Sequence, residues 1–197
     1  MLNPIFSENP IIQELVVAAK SKVKDNIQAL LKKYRAKLTD KDKKGLNAAM
    51  HLGATGDREA CELFIKLGVP AMDCAKGAAY GGHEELARDL VNNKSADYPA
   101  LCVYAAMGGQ KDTTATLIRR ISANKTIDQV RICNQVADAA KMGNHPKLEQ
   151  NYRKMAKVRA AKKSCQSGND EESSSSRSDS KNPKSPQDDI SVPAISP

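Results

Sequence analysis

The stretch Gly77-Ala78-Ala79-Tyr80-Gly81-Gly82-His83-Glu84-Glu85-Leu86-Ala87-Arg88-Asp89-Leu90 sets paired alanines, paired glycines and a run of carboxylates in close order. Each part has a physical meaning. A glycine just past the last turn closes a helix in the left-handed conformation without a Cβ clash. Carboxylates immediately beyond it suit the positive end of a new helix. Alanines one turn before the glycines let a neighbouring helix come close. The stretch therefore predicts a helix, a glycine turn and a second helix.

The same punctuation extends in both directions. Ala78-Ala79-Tyr80-Gly81-Gly82 recurs as Ala105-Ala106-Met107-Gly108-Gly109, 27 residues later. The register reaches back 26 residues to Leu52-Gly53-Ala54-Thr55-Gly56, and forward 34 from the second copy to Ala139-Ala140-Lys141-Met142-Gly143. Apolar pairs fall at matching places beyond the turns, at Phe64-Ile65, Leu90-Val91 and Leu117-Ile118. One such helix pair cannot bury its apolar side alone, whereas three or four stacked pairs share a core of small residues. That accounts for a chain of 197 residues with two Phe, five Tyr and no Trp.

The flanks read differently. Asn9-Pro10 is a helix opening, because Asn accepts from a free N–H of the first turn and Pro has no N–H to leave unpaired. Ile12, Leu15, Val16, Ala19, Val23, Ile27, Leu30, Leu31, Tyr34 and Leu38 then recur at three- and four-residue steps. They predict one amphipathic helix to about Leu38, so that residues 1–39 cap the first pair and residues 40–146 form the repeats. Tyr98-Pro99 opens the first helix of the third unit. Thr126-Ile127-Asp128-Gln129 matches a capping box opening the helix that ends at Met142. Residues 147–163 carry seven basic residues and a thin stripe of Leu148, Tyr152, Met155 and Val158, a basic C-terminal helix with a polar outer face. Residues 164–197, rich in Ser and Pro, offer too little apolar surface to order, and are expected to be a disordered acidic tail.

The run from Gly77 to Leu90 resembles the ankyrin-repeat pattern, in which Ala-Ala-x-x-Gly-His-x-Glu leads into a second helix with paired leucines. Gly56-Asp57-Arg58-Glu59 with Phe64-Ile65 and Gly68 is similar to the same half of a repeat. The resemblance covers about Lys44 to Asn151. The Thr-Pro-Leu-His opening is absent, and a spacing of 26 or 27 residues leaves no room for the β-hairpin finger between standard repeats. The expected fold is all-α: a short ankyrin-like helix-turn-helix solenoid of about four repeats with flanking helices. The Ala/Gly-rich repeats, with a polar Ser-rich end, also resemble effectors that intracellular bacteria inject through a type IV system. That resemblance implies folding in a bacterial cytoplasm, delivery into a host cell with the tail as address, and a host protein as partner.

Charge and motifs narrow the function classes. The formal net charge is +8, but residues 164–197 hold three basic and six acidic side chains, leaving +11 on the rest. A polyanion-binding adaptor, cytoplasmic or nuclear, whose basic terminal helices contact nucleic acid or an anionic membrane surface, is therefore the alternative to a protein-binding module. Cys61, Cys74, Cys102, Cys133 and Cys165 are widely spaced and odd in number, which reads as free thiols and no metal cluster. His51, His83 and His145 read as turn or surface histidines. No Walker loop, GxSxG elbow or paired-carboxylate frame is present, so neither an enzyme nor a cofactor is expected, and the remaining catalytic alternative is a site assembled in space from residues scattered across the solenoid. If the alanines of each unit face the stack, the residue between them and the glycines points elsewhere. That places Tyr80, Met107 and Lys141 on one candidate protein-binding surface, with Lys76 and Tyr104 one turn earlier.

Overall fold

Asn9 opens the first helix as its side chain dictates: Oδ1 accepts the N–H of Ile11 at 3.0 Å and Pro10 takes the first position. The computed structural model describes residues 9–21, 24–34, 37–92, 97–124 and 126–167. Among them are ten α-helices and no strand: α1 (Pro10–Ser21), α2 (Lys24–Lys33), α3 (Ala48–Ala54), α4 (Arg58–Lys66), α5 (Ala71–Gly81), α6 (Glu84–Leu90), α7 (Tyr98–Met107), α8 (Lys111–Ser122), α9 (Gln129–Met142) and α10 (Pro146–Ser167). The chain divides into two units, Met1–Ala161 and Lys162–Pro197; of the second, only the end of α10 is described. Ser164 to Ser167 thus belong to a helix and not to a tail, and the expectation for residues 168–197 lies outside the described residues.

The N-terminal segment departs from the single helix expected to Leu38. Two helices occupy it, and the Tyr34 hydroxyl donates to Glu14 Oε2 at 2.7 Å across twenty positions. Along one straight helix those residues would stand about 30 Å apart, so the chain folds back on itself. Ile12, Leu15 and Ala19 of α1 and Ile27 and Leu31 of α2 are buried, and α1 packs against α3 and α4. Two helices thus share the apolar residues expected on one, and Val23 lies outside the described residues.

The turns repeat one hydrogen-bond pattern. After α5, the N–H of His83 reaches the Ala78 carbonyl and that of Gly82 the Ala79 carbonyl, with Gly82 left-handed at φ 88°. After α7, Gln110 and Gly109 bond to Ala105 and Ala106; after α9, His145 and Asn144 bond to Ala140 and Lys141. Each is the paired 6→1 and 5→2 closure of a helix end. In the fourth unit Asn144 takes the left-handed place at φ 60°, as short polar side chains tolerate. The fourth register is therefore one position later than the alanine pairs suggest. The start of α9 also shifts: Asp128, not Thr126, is the N-cap, accepting the N–H groups of Val130 and Arg131 at 3.0 and 3.2 Å.

In packing, α3, α5, α7 and α9 form a row in which each lies against the next, while α4, α6 and α8 lie back against α3, α5 and α7. The row is close enough to exclude side chains. A Cβ on Gly77 would stand 1.9 Å from the Met50 carbonyl oxygen, one on Gly108 2.1 Å from that of Tyr80, and one on Gly143 2.0 Å from that of Met107. Ala78, Ala79, Ala105, Ala106 and Ala140 are fully buried between these backbones. Larger apolar groups, Phe64, Leu101, Leu117, Ile121 and Val136, are buried in the same core.

Of the three histidines, His83 and His145 are half-buried residues just past turns, whereas His51 is 2% exposed within α3. The His83 ring lies where a Cβ on Gly56 would be, and the His145 ring where one on Gly109 would be; Gln110 covers Gly82 in the same way. Each post-turn side chain thus sits over the left-handed glycine of the preceding turn. Gly108 has an ordinary φ of −80°, so replacing it with Ala tests close approach alone. Helix propensity favours Ala by about 1 kcal/mol, yet Gly108→Ala should destabilise the protein by about 1–3 kcal/mol in urea unfolding. A stabilised variant would contradict the backbone contact.

Candidate protein-interaction site

The row of inner helices positions the side chains that sequence reasoning singled out. Lys76 of α5 and Tyr104 of α7 come together, with Nζ 5.8 Å from the ring centroid, inside the range of a cation–π contact. Asp73 holds the same ammonium at 3.7 Å, one turn back along α5. The Asp73 carboxylate also accepts from Asn47 Nδ2 at 2.9 Å, which joins the start of α3 to the assembly. Asn47 has a second duty as N-cap of α3, where its Oδ1 accepts the Met50 N–H at 3.0 Å. One polar chain, Asn47–Asp73–Lys76–Tyr104, therefore crosses three inner helices.

Tyr80 and Met107 occupy equivalent places, since the carbonyl of each faces the glycine of the next inner helix. Both are half-buried, with part of the side chain open to water. In the fourth unit the equivalent residue is Met142, which is 80% exposed. Lys141, the residue expected there, takes the place of Ala79 and Ala106 and points to water. The reason is positional. Ala79 and Ala106 are pressed between neighbouring inner helices, whereas α9 is the last described helix of the row, so a long charged side chain fits. The surface is thus Lys76, Tyr80, Tyr104, Met107 and Met142, with Lys141 at its edge.

Sequence reasoning missed the turn that supports one end of this surface. Asp42 closes residues 42–46: its Oδ1 accepts the N–H groups of Lys44 and Leu46 at 2.9 and 3.0 Å, and its Oδ2 accepts from His51 Nε2 at 2.6 Å. An ionised carboxylate only accepts, so the proton lies on Nε2; Nδ1 has no hydrogen-bond partner among the described residues. Burial pushes the Asp42 carboxyl up, but the Leu46 amide and the His51 ring outweigh it and hold it below the ordinary carboxylate value. Tyr80 feels the same carboxylate: burial first, and the Asp42 charge second, raise its phenol. The only sequence signal was the spacing of Asp42 and His51, which matches no motif.

His51 is buried, and Cys61, Cys74, Cys102 and Cys133 are buried free thiols. Burial pushes the Cys102 thiol up, away from the thiolate. Among the described residues no three His, Cys, Asp or Glu side chains converge as metal ligands.

Asp42 gives this region a pH dependence of definite sign. A carboxyl held below its unfolded value of about 3.9 stabilises the fold above that pH, and the contribution disappears as pH falls through the folded value. Asp42→Ala should therefore cost about 3 kcal/mol near neutral pH, shrinking as the pH falls below 4. Urea unfolding of the two proteins across pH 3–7 measures the difference, and a pH-independent gap would mean that the carboxylate charge is not what acts. Compared with protein-family models the chain matches none, and compared with curated proteins it shows no significant match.

Proposed function

We propose that this protein is a non-catalytic protein-interaction module, a short ankyrin-like solenoid that binds a partner protein through the exposed side of its inner helices. The observation that carries the reading is the unequal treatment of the two helix layers. Several charges on the outer helices pair with one another: Arg58 of α4 pairs with Asp89 of α6 at 2.7 Å, Glu84 pairs with Arg88 at 2.9 Å, and Arg120 of α8 stands 3.9 Å from Glu84. On the inner helices, Tyr80, Tyr104, Met107 and Met142 leave apolar and aromatic surface around Lys76, with Lys141 at its edge. Tyr and Met are enriched in interface cores, whereas charged residues are depleted there. Stacked helix pairs, moreover, generate an extended surface of this kind.

The partner as a host protein, and delivery by a bacterial secretion system, rest on the resemblance of the repeats and of the polar C-terminal residues to injected effectors. A translocation reporter tests that part separately: removing residues 168–197 should abolish delivery without shifting the melting temperature of the helical body. Efficient delivery of the shortened chain would leave a resident cytoplasmic or nuclear adaptor.

The binding surface has its own test. Tyr80→Ala with Met107→Ala should weaken capture of a specific partner by about 2 kcal/mol or more, the scale of an interface hot spot. Arg58→Ala with Arg120→Ala, on the outer layer, should leave capture unchanged. Affinity measurements on variants matched for thermal stability read both, and loss through the outer pair alone would move the site to the other layer.

A further inference from the structure

The outer flank of α10 sets exposed lysines beside exposed apolar side chains. Its inner side is anchored by Leu148, Tyr152 and Ala156, all buried. At about 100° per residue, Lys147, Lys154 and Val158 fall in one stripe away from those residues, with Lys157 and Met155 to either side. All five are exposed; Val158 is 49% and Met155 36% exposed. Among the described residues, none of the three ammonium groups has a carboxylate within ion-pair distance. The arginines of the helix are committed elsewhere: Arg153 to Asp138 and Glu149, and Arg159 to Cys133 and Ser122.

We propose that this flank docks on an anionic lipid surface, with Val158 and Met155 entering the interface and the lysines meeting lipid headgroups. The charge of the flank is complementary to such a surface and contains no carboxylate to oppose it. Its residue types favour lipid over nucleic acid. Lysine stems lie along an apolar boundary while their ammonium groups reach the headgroups. A nucleic-acid surface would instead present free arginine forks or stacking aromatics, and here the arginines are paired and Tyr152 is buried. No helix among the described residues is long and apolar enough to cross a membrane, so the contact is peripheral.

Vesicle flotation with the full chain tests this. Phosphatidylserine-containing vesicles should bind the protein, pure phosphatidylcholine vesicles should not, and binding should weaken as salt rises. Replacing Lys147, Lys154 and Lys157 with Gln should weaken binding by about 100-fold, roughly fivefold for each lysine. Val158→Ser, which keeps every charge, should also weaken it, and circular dichroism melts should show both variants folded. The proposal is overturned if the full chain ignores phosphatidylserine vesicles at low salt. It is equally overturned if Lys41→Gln, Lys66→Gln and Lys111→Gln together weaken binding as much as the α10 triple. Insensitivity to Val158→Ser, with duplex DNA displacing the vesicles, would assign the flank to nucleic acid.

Discussion

The architecture depends on backbone lying directly against backbone in the row of inner helices. Gly77, Gly108 and Gly143 each present a bare Cα to a carbonyl of the preceding inner helix, at distances that a Cβ could not occupy. Because a close-packed interior resists even one added methylene, these contacts fix the sliding register of each helix on its neighbour. The turns then follow. Once Gly108 meets the Tyr80 carbonyl, the next residues arrive where Gln110 covers Gly82; His83 and His145 repeat the step over Gly56 and Gly109. Small residues in this fold specify position, a task that interlocking large side chains perform in an ordinary core.

That constraint explains what was legible in the sequence. Glycine and alanine at fixed separations are a direct record of the close contacts, so the helix–turn–helix punctuation and the burial of Ala78, Ala79, Ala105 and Ala106 could be read from one strand of text. Local caps were equally legible where one chemistry was possible, as at Asn9-Pro10 and Tyr98-Pro99. The fourth unit misled for a physical reason. Ala139-Ala140 looks like the earlier pairs, but the place of the second alanine faces no further inner helix, and Lys141 fills it. A repeat loses its signature where it has no neighbour to pack against.

What could not be read was long-range. An apolar stripe at three- and four-residue steps is the same in one helix or in two folded together, and contacts such as the Tyr34–Glu14 hydrogen bond distinguish them. The Asp42–His51 pair is similar: nine positions apart and outside any helical spacing, its members meet because the 42–46 turn brings the carboxylate back over α3. The inner surface was legible in part. Tyr80, Met107, Tyr104 and Lys76 came from repeat register, while Asn47 and Asp73, which steady Lys76, became visible only when α3 and α5 were placed side by side.

The two layers then acquire different freedoms. A residue on an outer helix sits between neighbours that carry charge, and altering it disturbs a pair such as Arg58 with Asp89. Where one inner helix meets the next most closely, the contact is made by Gly and Ala, and the residue one step before that glycine contributes its carbonyl. The carbonyls of Ala54, Tyr80 and Met107 are what Gly81, Gly108 and Gly143 of the next inner helix meet. Ala54 is buried, Tyr80 and Met107 are half-buried, and Met142, at the same place on the last described helix of the row, is exposed. Close approach of the backbones therefore fixes the register of the row through main-chain atoms, and the side chains at these places become more exposed from α3 to α9.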